Sequence, residues 1–212
     1  FYGYEGLGSI YWHMVSKLLL AVQEVCLAGL DEDPAADATR RLIGLYYRVR
    51  AGLGFNKTPG EYGAFPTDPY SHTPGHGGAS QPGMTGQVKE EVLTRFGELG
   101  VRVRNGRVRF QPRLLRPQEF LREPRGFRHL DVDGAWRTLA VPAGGLAFTW
   151  CQVPVVYRLT ADRAPGLSLT LQDGATRHCP GAALDADDSA ALFGRTGRIR
   201  QVTVEIHPDQ LF

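Results

Sequence analysis

The chain has 212 residues, 42% of them hydrophobic, and a formal net charge of +2. That length supports one large domain or two small ones with a real core. The near-neutral balance gives no global electrostatic basis for binding nucleic acid or an anionic membrane. The three cysteines, Cys26, Cys151 and Cys179, lie in or beside apolar stretches without motif spacing, which favours reduced buried thiols and a cytoplasmic, reducing compartment. The first residue is Phe1 and no signal-peptide order of regions follows it, so the expected N-terminus is a cut one, and location stays open. The longest apolar run near the start falls far short of the ~20 residues of a membrane span.

In chain order, Tyr11, Met14, Val15, Leu18, Leu19, Val22, Val25 and Cys26 recur with helical period and predict a helix over 10–27 packed on one broad apolar face. His13, Lys17 and Glu24 fall on its other side. Asp33 before Pro34 reads as an N-cap with proline in the first turn. Leu42, Ile43, Tyr46 and Val49 then carry a second helix to Gly52, forming an antiparallel hairpin with the first. A third helix opens at Thr85 or Gly86 and runs through Val88, Val92, Leu93 and Phe96, with Glu90 and Glu91 early and Arg95 late, as the helix dipole prefers.

Between the second and third helices, residues 52–83 form a loop of 32 residues in which thirteen are Gly or Pro. Phe55, Tyr62, Phe65 and Tyr70 supply flat apolar faces within it. A loop so long inside a compact domain is usually a functional surface, and this mixture suits a sugar better than a linker. His72 and His76 are spaced four apart with Asp68 upstream, but without cysteines or a helical frame they predict no metal site. No phosphate-cradling or dinucleotide loop and no nucleophile elbow is present, so no bound cofactor is expected.

From Val101 the period changes to two. Val101, Val103, Val108 and Phe110 alternate with Arg102, Arg104, Arg107 and Arg109 about Asn105-Gly106, the signature of a two-residue hairpin. That register sets Arg104 against Arg107 and Arg102 against Arg109, a repulsion relieved either on a solvated face or at an anion site. Further strands are expected at 127–132, 136–141, 146–157, 167–171 and 199–206, with Pro154 marking a bulge or an edge. Residues 101–212 thus read as an antiparallel sandwich or its larger part.

The order of helix pair, aromatic loop, Met84-Thr85-Gly86-Gln87 opening a helix, Leu99-Gly100-Val101 and then Gly106-Arg107-Val108-Arg109-Phe110-Gln111-Pro112 resembles the last part of the glycoside phosphorylases and hydrolases built on an (α/α)6 barrel, the cellobiose phosphorylase superfamily. Tyr4 to His13 and Gly54 to Pro59 are similar to segments of its large uncharacterised bacterial members. The resemblance covers residues 1 to about 116 and implies an α+β chain: the last helices and an active-site loop of the barrel over 1–100, then a β-rich, sandwich-like C-terminal domain over 101–212. It implies a carbohydrate-active enzyme acting on an oligosaccharide or polysaccharide, with neither nucleic acid nor membrane as partner. The family's general acid would lie in a missing N-terminal part of the same chain, leaving this portion catalytically incomplete.

Residue roles follow from the same resemblance. Thr85 and Gly86 match the Thr-Gly pair that helps bind phosphate in the phosphorylases, where inorganic phosphate is a co-substrate; a hydroxyl and free N–H groups at a helix start suit an anion. Met84 and Gln87 depart from the family's aromatic and small residues there. In an inverting hydrolase of this architecture a carboxylate base stands roughly 6.5–9.5 Å from the acid, and Glu61, then Asp68, are the candidates. Glu5, Lys57, Tyr62, Tyr70, His72 and His76 are expected to hold the sugar. A noncatalytic module that binds glycans or docks to a partner is the alternative reading.

Overall fold

The computed structural model describes residues 12–53, 87–162 and 166–212. The chain is α+β and divides into two compact units, Phe1–Phe96 and Gly97–Phe212.

In the first unit, helix α1 spans Trp12–Glu32, α2 spans Asp37–Gly52, and α3 spans Gln87–Glu98, ending just past the unit's boundary. α1 runs five residues beyond its expected end, because Gly29 does not stop it and the Asp33 N–H still donates to the Gly29 carbonyl at 2.8 Å. Asp33 does not cap α2. Its Oδ1 accepts from the Ala35 N–H at 2.9 Å and its carbonyl accepts from the Thr39 hydroxyl at 3.1 Å, so Asp33-Pro34 makes the turn and the helix starts later, after Ala36. Gly29 lets the two helices approach: a Cβ there would stand 3.0 Å from Thr39 Oγ1.

The face that α1 buries is only partly the expected one: Leu19 and Cys26 are on it, Met14, Leu18 and Val25 are not. Ser16, Leu19, Gln23, Cys26 and Leu30 are buried, at spacings of three, four, three and four, while Met14, Leu18 and Val25 are 55%, 54% and 57% exposed. α3 repeats the inversion, burying Glu90, Thr94 and Glu98 and exposing Val92 and Leu93. α2 is conventional in burying Ile43 and Tyr46 but also buries Thr39 and Arg50 and exposes Leu45. Helical period identifies a helix; it does not say which side of a broad apolar arc faces inward.

The second unit opens with a hairpin, β1 (Val101–Arg104) and β2 (Arg107–Phe110), in the expected register, with Arg104 opposite Arg107 and Arg102 opposite Arg109. Asn105 and Gly106 both have positive φ, 51° and 72°, the conformation of a type I′ turn. The strand β2 is also bridged by residues 182–184: the Phe110 N–H donates to Ala182 O at 2.8 Å and the Leu184 N–H to Val108 O at 2.9 Å. A second hairpin pairs β3 (Arg125–Leu130) with β4 (Trp136–Val141).

The remaining strands are β5 (Gly145–Trp150), β6 (Val153–Leu159), β7 (Gly166–Leu171), β8 (Thr176–Pro180) and β9 (Ile199–Ile206), in one sheet of order β5-β6-β9-β7-β8. The expected pure antiparallel pairing does not hold, since β6 and β9 run parallel at its centre. The expected strand over 146–157 is two strands folded at Cys151-Gln152, whose φ values of 50° and 66° form a tight turn without glycine. Pro154 sits beside β5 but before the ladder to β9 begins at Val155, so its missing N–H breaks no bond there. β8 and a fourth helix, α4 (Ala186–Phe193), were not expected at all. Asp185 caps α4, its Oδ1 accepting from the Asp188 N–H at 2.7 Å.

Tyr157 anchors this unit. Its ring is fully buried, edge-on to Phe148 at 5.3 Å and to Phe110 at 6.5 Å between centroids, and its hydroxyl donates to the Leu99 carbonyl. Next to that carbonyl, Gly100 has φ +68°, and a Cβ on it would fall 2.0 Å from the Gln111 carbonyl. Gly100→Ala is therefore expected to cost about 2–4 kcal/mol in urea unfolding. Gly106→Ala, at φ +72° with nothing within 4 Å, should cost only the left-handed penalty of about 1–2 kcal/mol. Equal losses would show that the close approach to Gln111 does not matter.

Candidate functional site

The buried faces of the three helices in the first unit meet in a polar seam. Gln23 of α1 donates from Nε2 to the Tyr46 hydroxyl of α2 at 3.0 Å and to the Thr94 carbonyl of α3 at 2.7 Å, so one amide uses both its hydrogens to tie three helices. On the buried sides of α1 and α3, Ser16 Oγ, Thr94 Oγ1 and one carboxylate oxygen of Glu90, Oε2, have no hydrogen-bond partner among the described residues. Burying such atoms unmatched costs about 1–3 kcal/mol each, so each calls for a partner from water, a ligand or the rest of the chain. Hydroxyls and a carboxylate are groups that can bond the hydroxyls of a polar ligand; they cannot by themselves supply a nucleophile.

Sequence reasoning missed Glu90, Ser16, Gln23 and Thr94. It assigned Glu90 to the helix dipole, and the available signal was the row Glu90, Thr94, Glu98 at helical spacing opposite Val92 and Leu93. The residues it did select, Glu5, Lys57, Glu61, Tyr62, Asp68, Tyr70, His72, His76, Thr85 and Gly86, lie outside the described residues. The chain places most of them between the end of α2 at Gly52 and the start of α3 at Gln87.

Two charged clusters organise the second unit. Asp188, 1% exposed at the start of α4, receives the guanidinium groups of Arg177 from β8 and Arg198, the latter at 2.5 Å. Beside it Ser189 Oγ accepts from the Val108 N–H at 3.0 Å, fastening α4 to β2. At the β3–β4 turn, Asp131 accepts from Arg137 Nε at 2.5 Å and from the Val132 N–H at 2.6 Å, with Arg200 Nη1 3.5 Å away. Arg200 also holds Asp133 at 2.8 Å. Each carboxylate is neutralised by paired guanidinium groups, so these clusters are clamps between elements and not poised acids or bases.

The thiols are equally quiet. Cys26, Cys151 and Cys179 are all free. Burial pushes the Cys26 thiol up to about 11 and also raises Cys151, against the pull of Arg195, and Cys179. None is an activated thiolate. Among the described residues no group of three His, Cys, Asp or Glu side chains could hold a metal ion, and no helix is long and apolar enough to cross a membrane. Comparison with known proteins finds no matching family model and no matching curated protein.

Burial works against the charge on Asp131, but the Arg137 and Val132 hydrogen bonds and the charges of Arg137 and Arg200 outweigh it and hold the carboxyl below its usual value. The resulting stabilisation is whole above the usual carboxylate range, near pH 4, and is lost as pH falls through the depressed folded value. Asp131→Asn should lose about 1–3 kcal/mol at pH 7, and urea unfolding at successively lower pH should show its deficit relative to wild type shrinking. A deficit constant between pH 7 and about pH 3 would remove Asp131 from this role.

Proposed function

We propose that this chain is part of a carbohydrate-active enzyme that cleaves glycosidic bonds, by inverting hydrolysis or by phosphorolysis with inorganic phosphate. In this reading α1, α2 and α3 are the last helices of an (α/α)6 barrel, the segment between α2 and α3 carries the base and sugar contacts, and the β-rich unit is its sandwich-like C-terminal domain. The general acid comes from upstream sequence of the same protein.

The observation that carries the reading is the inverted packing of the helical unit. An inner barrel wall must offer polar groups to a hydroxyl-rich substrate, while its outer side must be apolar to pack on a second helical layer. Ser16, Glu90 and Thr94 bear on the first requirement and Met14, Leu18, Val25, Val92 and Leu93 on the second. An isolated helical unit with no polar ligand would gain stability from the reverse arrangement.

In the enzyme with its upstream sequence, Glu61→Gln should abolish release of free sugar if the reaction is hydrolysis. Phosphate-dependent release of a sugar phosphate would instead assign phosphorolysis and the phosphate contact to Thr85 and Gly86. Glu90→Leu should leave folding stability equal or higher while lowering kcat/KM at least tenfold, as measured by denaturation and oligosaccharide turnover side by side. Activity on no member of an oligosaccharide panel, with or without phosphate, would leave a noncatalytic module as the function.

A further inference from the structure

The β3–β4 hairpin is amphipathic in an uncommon way. Its inner face carries Phe127 and His129, stacked at 5.6 Å with His129 buried, and Val141, also buried. Its outer face consists of Gly126, Arg128 and Leu130 opposite Ala140, Thr138 and Trp136, and all six are exposed. Trp136 is 60% exposed, and the Arg128 guanidinium lies over its ring, 4.3 Å from the centroid. A tryptophan so placed contributes nothing to a core, and an exposed cation–π contact is worth only about 0.5–1 kcal/mol.

Charge separates Arg128 from the two arginines at the hairpin's turn. Arg137 and Arg200 are taken up by Asp131 and Asp133, whereas Arg128 has only the indole and, among the described residues, no carboxylate. An indole face stacks on the C–H face of a pyranose, and the planar guanidinium that lies over this ring has only a weak contact to give up in swinging aside to take a carboxylate two-pronged. Gly126 and Ala140, one pair further along, leave the platform flat in the direction a chain would follow. The size points the same way. Two six-residue strands at about 3.3 Å per residue and about 5 Å apart offer an outer face of roughly 200 Å². A stable protein partner needs about 800 Å², whereas a few sugar rings need no more than this.

We propose that the outer face of this hairpin binds a carboxylate-bearing glycan, a uronate chain, with Trp136 as the stacking platform and Arg128 as the carboxylate contact. The site stands on the hairpin alone, so its test reads binding without turnover.

The test is affinity electrophoresis and calorimetry of the 212-residue chain with polygalacturonate, alginate and hyaluronan, with neutral laminarin and poly-glutamate as comparisons. Wild type should bind at least one uronate polymer, at least tenfold more tightly than laminarin or poly-glutamate, and more weakly as salt rises. Trp136→Ala and Arg128→Gln should each weaken that binding at least tenfold with circular dichroism unchanged, since both side chains are exposed. Failure to bind all three uronate polymers would overturn the proposal. So would variants that bind like wild type, or poly-glutamate binding as well as the glycans, which would make the face a general anion surface.

Discussion

One buried amide sets the arrangement of the helical unit. Gln23 can satisfy both its hydrogens only if the Tyr46 hydroxyl and the Thr94 carbonyl come to it, so α1, α2 and α3 must present these faces to one another. Turning α1 to bury Met14, Leu18 and Val25 would strand that amide or expose it. Once Gln23 is inside, the helical repeat carries Ser16 in with it, and Thr94 carries Glu90. The outward apolar row and the polar groups set inward among Leu19, Cys26 and Leu30 are then two consequences of one hydrogen-bonding constraint, and the function proposed above uses both.

The β-rich unit answers to different constraints. Its centre is the parallel pair β6 and β9, and β6 is buried at five consecutive residues from Val153 to Tyr157. Such a strand cannot be half polar, because it is covered on both faces. Tyr157 brings a hydroxyl into this apolar centre and finds the Leu99 carbonyl for it, which fixes the chain just before Gly100 and the first hairpin. Asp188 fastens the other end, holding α4 against β8 and the start of β9 through Arg177 and Arg198. An exposed tryptophan on the β3–β4 hairpin stands out against this background as a group that folding does not use.

Much of the element order was legible in the sequence because local signals and tertiary structure agree. Asn105-Gly106 demands positive φ at both positions, and the chain adopts it. The strands at 136–141 and 199–206 alternate or run apolar within clear turn punctuation. The failures have equally definite causes. Cys151-Gln152 turns without glycine or asparagine, so β5 and β6 merged into one apolar run. The exposed, polar edge strand β8 and the eight-residue α4, rich in Ala and Asp, carry too few apolar residues to show a period. The site was least legible: the polar seam is invisible to a reading that takes apolar residues as the inside, and Asp33 was credited to a helix that begins four residues after it.

The central claim is that the apolar outer row of the helices is a covered surface in the working protein. Hydroxyl-radical footprinting of Met14, Leu18, Val25 and Leu93 by mass spectrometry tests it most directly, comparing the 212-residue chain with a longer protein that carries the proposed upstream barrel. The account predicts rapid modification of these side chains in the chain alone and strong protection in the longer protein, with Leu19 and Ile43 protected in both. Equal modification in the two would contradict it, for the helices would then face water on that side and could not be the inner layer of a barrel.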